Sequence, residues 1–162
     1  GSALGMSPRD VEFLRQAAAL HDIGKIGIPD KVLNKPGKLD PDEWEIMKNH
    51  AQIGYQLLHK SDKRVLQLAA TISNQHHEKW DGTGYPAGLK QDEIHMAGRI
   101  VAIADVLDAL VSRRCYKEAW QFSDALQHIK EQSGKHFDPH LVSLLFERIS
   151  GVEAIYEKYP DY

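Results

Sequence analysis

Cysteine is nearly absent from this sequence, and so are long apolar runs and any excess of one charge. Cys115 is the one cysteine among 162 residues, so no disulfide can form within the chain, which favours a reducing compartment. The longest apolar run, residues 100–111, is shorter than the ~20 residues that cross a bilayer. The 20 Lys and Arg against 23 Asp and Glu give a net charge of −3, which provides no electrostatic basis for binding nucleic-acid polymers or membrane surfaces. The composition therefore predicts a cytoplasmic globular domain.

The length predicts a single domain. A chain of 162 residues is close to the typical domain length of ~150 residues, and no repeat, linker or low-complexity segment divides it. The opening Gly1-Ser2, with no initiator methionine before it, is typical of a remnant of cloning. We therefore expect the domain to occupy residues 3–162 and to be excised from a longer protein.

Helix start signals recur along the chain, and no alternation of period two lasts long enough to predict a strand. Ser7 before Pro8 predicts an N-cap and a helix that runs to about Asp22. Residues 40–43, Asp-Pro-Asp-Glu, predict a capping box that opens a second helix. Further helices are predicted at about 63–77 and 96–112, with shorter ones capped by Ser123 and Asp138, and the tail from residue 152 has little pattern. These signals predict an all-α fold, a single helical bundle.

The second predicted helix has an inward-facing stripe at spacings of three and four residues, made of Trp44, Met47, Ala51, Tyr55 and Leu58. His50 lies on the same stripe. The helix at 96–112 is apolar on all sides, so we expect it to be central and buried.

Six polar residues are predicted to lie on buried faces or at helix ends: His21, Asp22, His50, His76, His77 and Asp105. Asp105 is the clearest case, because ten of the twelve residues from Ile100 to Val111 are apolar, and a buried carboxylate needs a cation or strong donors. Imidazoles and carboxylates without a thiolate suit iron, manganese, nickel or zinc rather than a structural zinc knuckle. Six candidate ligands exceed the four of one tetrahedral zinc and favour two metals about 3.5–4 Å apart.

Each of these residues also has a purely structural interpretation. A single histidine such as His50 is more often a hydrogen-bonded core residue than a ligand. The dipole of a helix C-terminus would account for the pair His76-His77, and pairing with Arg99 would account for Asp105. We interpret Asp108, one turn beyond Asp105, as structural or as a residue that supports a ligand. Taken together, the six residues favour a metal site, while the other five of the nine histidines need no shared explanation.

Two segments of the chain resemble the HD-GYP family. Residues 21–27, His-Asp-Ile-Gly-Lys-Ile-Gly, match the family signature HDIGKxG. His76-His77-Glu78, followed by the sequence Asp-Gly-Thr-Gly-Tyr-Pro at residues 81–86, matches its HHExxDGxGYP segment. The resemblance runs from about Leu4 to Leu145, nearly the whole chain, and the two long motifs in this order are highly specific. Cys115 and His95 stand where the family usually has proline.

The resemblance implies a helical bundle of the HD-superfamily type and metal-dependent hydrolysis of cyclic di-GMP to linear pGpG and, in some members, on to GMP. It implies that the six residues given above bind two divalent metals, iron or manganese first, with nickel and zinc as alternatives. Asp22 would bridge the cations, a hydroxide between them would attack phosphorus, and Lys25 would offset charge on the phosphate. The resemblance further implies substrate contacts from Lys25, Asp81, Gly82, Gly84, Tyr85, Pro86, Arg99, Arg114 and Lys117.

The resemblance also implies partners and missing parts. The loop around Tyr85 is expected to shape access and to stack on or hydrogen-bond a base, although a rigid loop anchored by Tyr85 and Pro86 is nearly as good an interpretation. In the family this loop is proposed to contact GGDEF synthase domains. Family members carry an upstream helix with a histidine and, in a trinuclear subset, a glutamate, and we expect that helix to be missing here. A regulatory domain is expected in the full-length protein.

Three alternatives stay open at this point. The chain could hydrolyse another cyclic dinucleotide, such as cyclic GMP-AMP. It could be a general HD-superfamily nucleotide phosphohydrolase, although such enzymes lack the Asp-Gly-Thr-Gly-Tyr-Pro segment. It could also be a non-catalytic module that binds cyclic dinucleotides or GGDEF domains.

Overall fold

The fold is that of a computed structural model, which describes residues 1–112 and 119–158. Within these ranges the chain forms helices and no strand, which confirms the predicted all-α class. The helices are α1 (Pro8–Ala18), α2 (Asp30–Leu33), α3 (Pro41–Leu58), α4 (Arg64–Gln75), α5 (Met96–Val111), α6 (Phe122–Glu131), α7 (Pro139–Glu147) and α8 (Ile149–Lys158). Short 3₁₀ helices lie at Ser2–Leu4, Ile23–Gly27 and Gln91–Glu93. No helix in the described ranges combines the length and hydropathy that a membrane crossing requires.

The start of α1 is as predicted, but its end is not. Ser7 caps the helix by accepting a hydrogen bond from the Asp10 amide, and Pro8 follows at the first position. The helix ends at Ala18 instead of continuing to about Asp22, and the chain turns into the 3₁₀ helix Ile23–Gly27. The reason is a close approach of backbones, because a Cβ built on Gly24 would lie 1.9 Å from the His50 carbonyl oxygen of α3. A continuing α-helix would not bring Gly24 there.

Helix α3 begins with the predicted capping box. The Asp40 carboxylate accepts from the Glu43 amide at 2.9 Å, and the Glu43 carboxylate accepts from the Asp40 amide at 2.9 Å. The inward position predicted for Trp44 is wrong, because this side chain is 45% exposed. The first turn of α3 reaches past the helical core and meets the loop after α4, where Trp44 contacts Tyr85.

Helix α5 is the centre of the bundle, as predicted. Half of its 16 residues are buried. Its N-terminal part packs with α1 and α4 in one cluster, and its later turns pack with α6 and α7 in two more. Three hydrophobic clusters share this helix, so its position in the bundle is fixed. The position of Asp105 relative to the surrounding helices is therefore fixed as well.

The C-terminal helices depart from the prediction in two places. The N-cap of α6 is Gln121 rather than the predicted Ser123, whereas Asp138 caps α7 as predicted by accepting from the His140 amide. Helix α8 forms where the sequence has little pattern, and none of its described residues is buried. A helix that buries no side chain completely leaves only a weak apolar stripe in the sequence.

The contact at Gly24 yields a test of how α3 and the 3₁₀ segment pack. We expect Gly24→Ala to lower the free energy of unfolding by about 1–3 kcal/mol, as overpacking of a tight contact typically does. Gly151→Ala in α8 is the matched control, since no heavy atom lies within 4 Å of its added Cβ. Urea denaturation followed by circular dichroism measures both variants. Equal midpoints for Gly24→Ala and the unsubstituted protein would contradict the packing described here.

Candidate metal centre

Four elements of the bundle bring the six predicted ligands together. The turn after α1 supplies His21 and Asp22, α3 supplies His50, the end of α4 supplies His76 and His77, and α5 supplies Asp105. Two overlapping groups result, in each of which the ligand atoms lie within 4.8 Å of one another. One consists of Asp22, His50, His76 and His77, and the other of His21, His76 and Asp105.

Backbone carbonyls fix the orientation of three of the histidines. The Nδ1 atoms of His21, His50 and His76 lie 2.8 Å from Ala18 O, 2.7 Å from Met47 O and 3.0 Å from Ser73 O, respectively. A carbonyl can only accept, so each Nδ1 carries the hydrogen and each Nε2 of the neutral ring keeps a lone pair. Metal-binding histidines commonly donate the hydrogen of the ring nitrogen that does not bind the metal to such an acceptor.

The Asp22 carboxylate has two oxygens in different surroundings. Oδ1 is buried and accepts no hydrogen bond from any described residue, although His50 Nε2 lies at 3.3 Å and His76 Nε2 at 3.8 Å. Oδ2 faces Lys25 Nζ at 2.5 Å and His21 Nε2 at 3.4 Å. Oδ1 therefore faces the Nε2 lone pairs of His50 and His76, with no hydrogen between these three atoms. This donor set fits a divalent cation.

Protonation states agree with that interpretation. Burial lowers the pKa of His76 to about 4 and of His77 to about 3, and it also lowers the pKa of His50. Burial works against ionisation of Asp22 and Asp105, yet hydrogen bonds with His21 keep the pKa of both carboxyls below the usual value. Neutral imidazoles and ionised carboxylates are the forms that bind metals.

His21 differs from the other three histidines. Hydrogen bonds with Asp105, and to a lesser extent with Asp22, raise the pKa of His21 to about 10. Without a metal, its ring is therefore a protonated imidazolium. A cation on this side of the site would replace that proton. The structural alternative in which Asp105 pairs with Arg99 is not what the bundle shows, because Asp105 faces His21 at 3.6 Å.

The loop after α4 is held against the site by Glu78. Its buried carboxylate accepts from the Ala87 amide at 2.7 Å and from the Leu89 amide at 3.0 Å. Tyr85 precedes Pro86 through a cis peptide bond, and the Tyr85 ring stacks on His77 with centroids 4.8 Å apart. In the sequence, Glu78 stands out only as part of the motif, and its role as an anchor of the loop is not predicted. The signal for it is a carboxylate directly after two buried histidines.

Other predicted substrate contacts in this loop also shape it. The Asp81 carboxylate accepts from the amide and hydroxyl of Thr83, and Gly82 has a φ of 84°. A Cβ on Gly84 would lie 2.3 Å from the Lys79 amide nitrogen, so the chain passes itself closely there. Contacts of Asp81, Gly82, Gly84, Tyr85 and Pro86 with a substrate stay predictions.

Arg99, in α5, connects the loop before this helix with the start of α7. Its Nη1 contacts Asp92 at 2.9 Å and Asp138 at 3.0 Å, and its Nε donates to Ile94 O. The guanidinium also lies 5.5 Å from the centroid of the Trp80 ring. These contacts tie the loop to α5 and to the start of α7, and the contact of Arg99 with a substrate stays a prediction. Arg114 and Lys117 lie outside the described residues.

Comparisons with known proteins identify the family and several relatives of this chain. The HD domain family model matches residues 1–141. The chain is 50% identical over 152 residues to the cyclic di-GMP phosphodiesterase response regulator RpfG of Xanthomonas campestris, and 48% identical over 158 residues to a cyclic di-GMP phosphodiesterase of Thermotoga maritima. It is 45% identical over 157 residues to the 3'3'-cGAMP-specific phosphodiesterase 2 of Vibrio cholerae.

These alignments cover most of this chain and less than half of each relative. They span 94%, 98% and 97% of the chain, respectively, but 40%, 43% and 30% of the relatives. The crystal structure of a cyclic GMP-AMP-specific phosphodiesterase of Vibrio cholerae superposes with a TM-score of 0.66 at 21% identity, over 94% of this chain and 41% of that one. At that identity the likeness concerns the fold.

The two groups of ligands predict that replacement of His50 weakens the binding of a divalent metal. We expect His50→Ala to weaken binding of Mn²⁺ at least about tenfold, since even the loss of a group that only supports a ligand costs about 10–100-fold. His59→Ala is the matched control, because His59 ends the same helix, stacks on Tyr55 and lies outside both groups. Isothermal titration of metal-free protein with Mn²⁺ gives both affinities. Equal affinities for the two variants would contradict the site.

Proposed function

The chain belongs to the HD domain family, as an HD-GYP domain, and we propose that it hydrolyses cyclic di-GMP to linear pGpG. The observation that carries this proposal is the pair of overlapping groups that four histidines and two aspartates form, together with a buried Asp22 oxygen that accepts no hydrogen bond from any described residue. The chain spans 30–43% of the length of the relatives compared above.

We propose that the site holds two divalent cations, iron or manganese first and nickel or zinc as alternatives. Asp22 is the residue suited to lie between them, since Oδ1 faces His50 and His76 while Oδ2 faces His21. An imidazole whose Nδ1 already donates to a carbonyl has one free nitrogen and serves one cation. When bound, the ions would supply the Lewis acidity that activates a water and stabilises charge on a phosphate.

Lys25 has a distinct role in this proposal. Its ammonium is anchored by Asp22 Oδ2 and yet 41% of its side chain is exposed, so it lies at the open edge of the site. Negative charge on the non-bridging phosphate oxygens grows as the nucleophile adds, and a fixed positive charge there lowers the barrier. The ion pair with Asp22 holds the lysine in place before substrate arrives.

A second candidate substrate is 3'3'-cGAMP. It is supported by the 45% identity to a Vibrio cholerae phosphodiesterase named as specific for that dinucleotide. Cyclic di-GMP is favoured here because the two relatives named for it are 48% and 50% identical. The two substrates differ in one base, so residues that hydrogen-bond the edge of a base decide between them. The presence of all six predicted ligands in two close groups disfavours a non-catalytic binding module.

Two further proposals concern partners. The name of the Xanthomonas campestris relative, a response regulator, supports a regulatory domain in a longer protein that contains this chain. The exposed loop segment at residues 86–88 is suited to contact a GGDEF domain.

Competition between the two dinucleotides tests the substrate. Protein loaded with Mn²⁺ or Fe²⁺ and given equal concentrations of cyclic di-GMP and 3'3'-cGAMP should consume cyclic di-GMP first and release pGpG, as followed by chromatography. Faster loss of 3'3'-cGAMP would transfer the proposal to that substrate. Absence of product from both, at full metal occupancy, would contradict the enzymatic proposal and favour a binding module.

Replacement of Lys25 tests its proposed role in the reaction. We expect Lys25→Met to lower kcat about 100-fold or more, which is typical when one group that stabilises transition-state charge is removed. Metal content should stay unchanged, since Lys25 donates to Asp22 and offers the metals no ligand in this arrangement. Lys31→Met in α2 is the control and should retain full activity. Loss of metal together with activity would show that Lys25 maintains the ligand set instead.

A further inference from the structure

Trp44 is a large aromatic side chain left 45% exposed in the first turn of α3. Exposure of this extent is unusual for a tryptophan, which contributes most when its surface is removed from water. Its ring contacts Tyr85 edge-on, with centroids 6.0 Å apart and planes at 82°. The side chain is therefore packed on one side and open on another.

Trp44 is linked to the metal centre through two ring contacts. Tyr85 lies between, at 6.0 Å from Trp44 and at 4.8 Å from His77. His77 belongs to the group of ligands around Asp22. The exposed indole thus stands two aromatic rings away from the candidate metals, on the side of the site where the loop 76–95 meets α3.

The ring of Tyr85 is already occupied. His77 stacks on it at an interplanar angle of 28°, Trp44 meets it nearly at right angles, and the Lys48 ammonium lies 5.8 Å from its centroid. A nucleobase approaching the site would have to displace one of these neighbours to stack on Tyr85. Trp44 needs no displacement, because part of its surface is open to solvent.

Lys48 adds charge at the same place. It follows Trp44 by one helical turn, so both side chains lie on the same face of α3. Its ammonium pairs with Glu45 at 2.7 Å and retains 27% side-chain exposure. Because the Glu45 carboxylate balances this charge, the open indole surface, rather than charge, favours a ligand with an aromatic base.

From this placement we infer that Trp44 forms a base-stacking subsite, which binds one purine of a cyclic dinucleotide whose phosphate lies at the metal centre. The inference rests on the proposed function, since it names how that substrate would be held. Base stacking on an aromatic side chain tolerates any base. The subsite therefore contributes affinity more than choice between cyclic di-GMP and 3'3'-cGAMP.

The test compares ligands with and without a base. Isothermal titration of Mn²⁺-loaded protein measures the Kd of GMP and of inorganic phosphate, for the unsubstituted protein, Trp44→Ala and Trp44→Phe. We expect Trp44→Ala to raise the Kd of GMP about tenfold, within the range of one lost stacking contact, and to leave the Kd of phosphate unchanged. Trp44→Phe should recover part of the affinity.

Leu57→Ala is the matched control. Leu57 is 56% exposed on the same helix, 13 residues further along, which at 1.5 Å per residue places it roughly 20 Å from Trp44. It should leave both dissociation constants unchanged. With cyclic di-GMP as substrate, Trp44→Ala should raise KM about tenfold and leave kcat within about twofold.

Two results would overturn the subsite. Equal weakening of GMP and phosphate would show that Trp44 acts through the metal centre, and unchanged binding of both would show that no base rests on it. Failure of the proposed function is a separate result, since it is seen as absence of turnover in the unsubstituted protein, while the GMP and phosphate titrations need no turnover.

Discussion

A buried carboxylate oxygen that meets lone pairs instead of hydrogens is the constraint on which the site depends. Oδ1 of Asp22 lies 3.3 Å from His50 Nε2 and 3.8 Å from His76 Nε2, and both rings use their hydrogen-bearing Nδ1 on backbone carbonyls. A buried acceptor left without a donor costs about 1–3 kcal/mol. A cation bound between these atoms would attract each of them, so the atoms that repel one another without a metal would become its ligands.

The fold supports that constraint through close backbone contacts. Gly24 lets the chain after α1 touch α3, where an added Cβ would meet the His50 carbonyl. Gly54, one turn further along α3, lies so near Ser73 that its Cβ would be 2.0 Å from the hydroxyl oxygen. These two contacts bring three ligand-bearing elements within reach of one another, while the buried helix α5 holds Asp105 opposite. The positions of the candidate ligands therefore depend on two glycines that have no side-chain donor of their own.

Much of the site can be predicted from the sequence, and the reason is that its residues break local rules. His50 interrupts an apolar stripe and Asp105 interrupts an apolar helix, so the hydrophobic pattern alone distinguishes both residues. The predicted burial of Trp44 is wrong because helical periodicity shows which side chains share a face of the helix. It does not show at which residue of the helix the core ends. The early end of α1 is missed because its cause is the contact of Gly24 with a helix distant in the sequence. Arg99 cannot be placed between its two carboxylates for the same reason.

The arrangement of metals around Asp22 can be observed directly. Crystals grown with Mn²⁺ and measured on both sides of its absorption edge would show each ion as an anomalous peak. We expect two peaks per chain about 3.5–4 Å apart, with one Asp22 oxygen on each. A single peak, or two peaks with Asp22 bound to neither, would contradict the proposal that this carboxylate joins the two halves of the site.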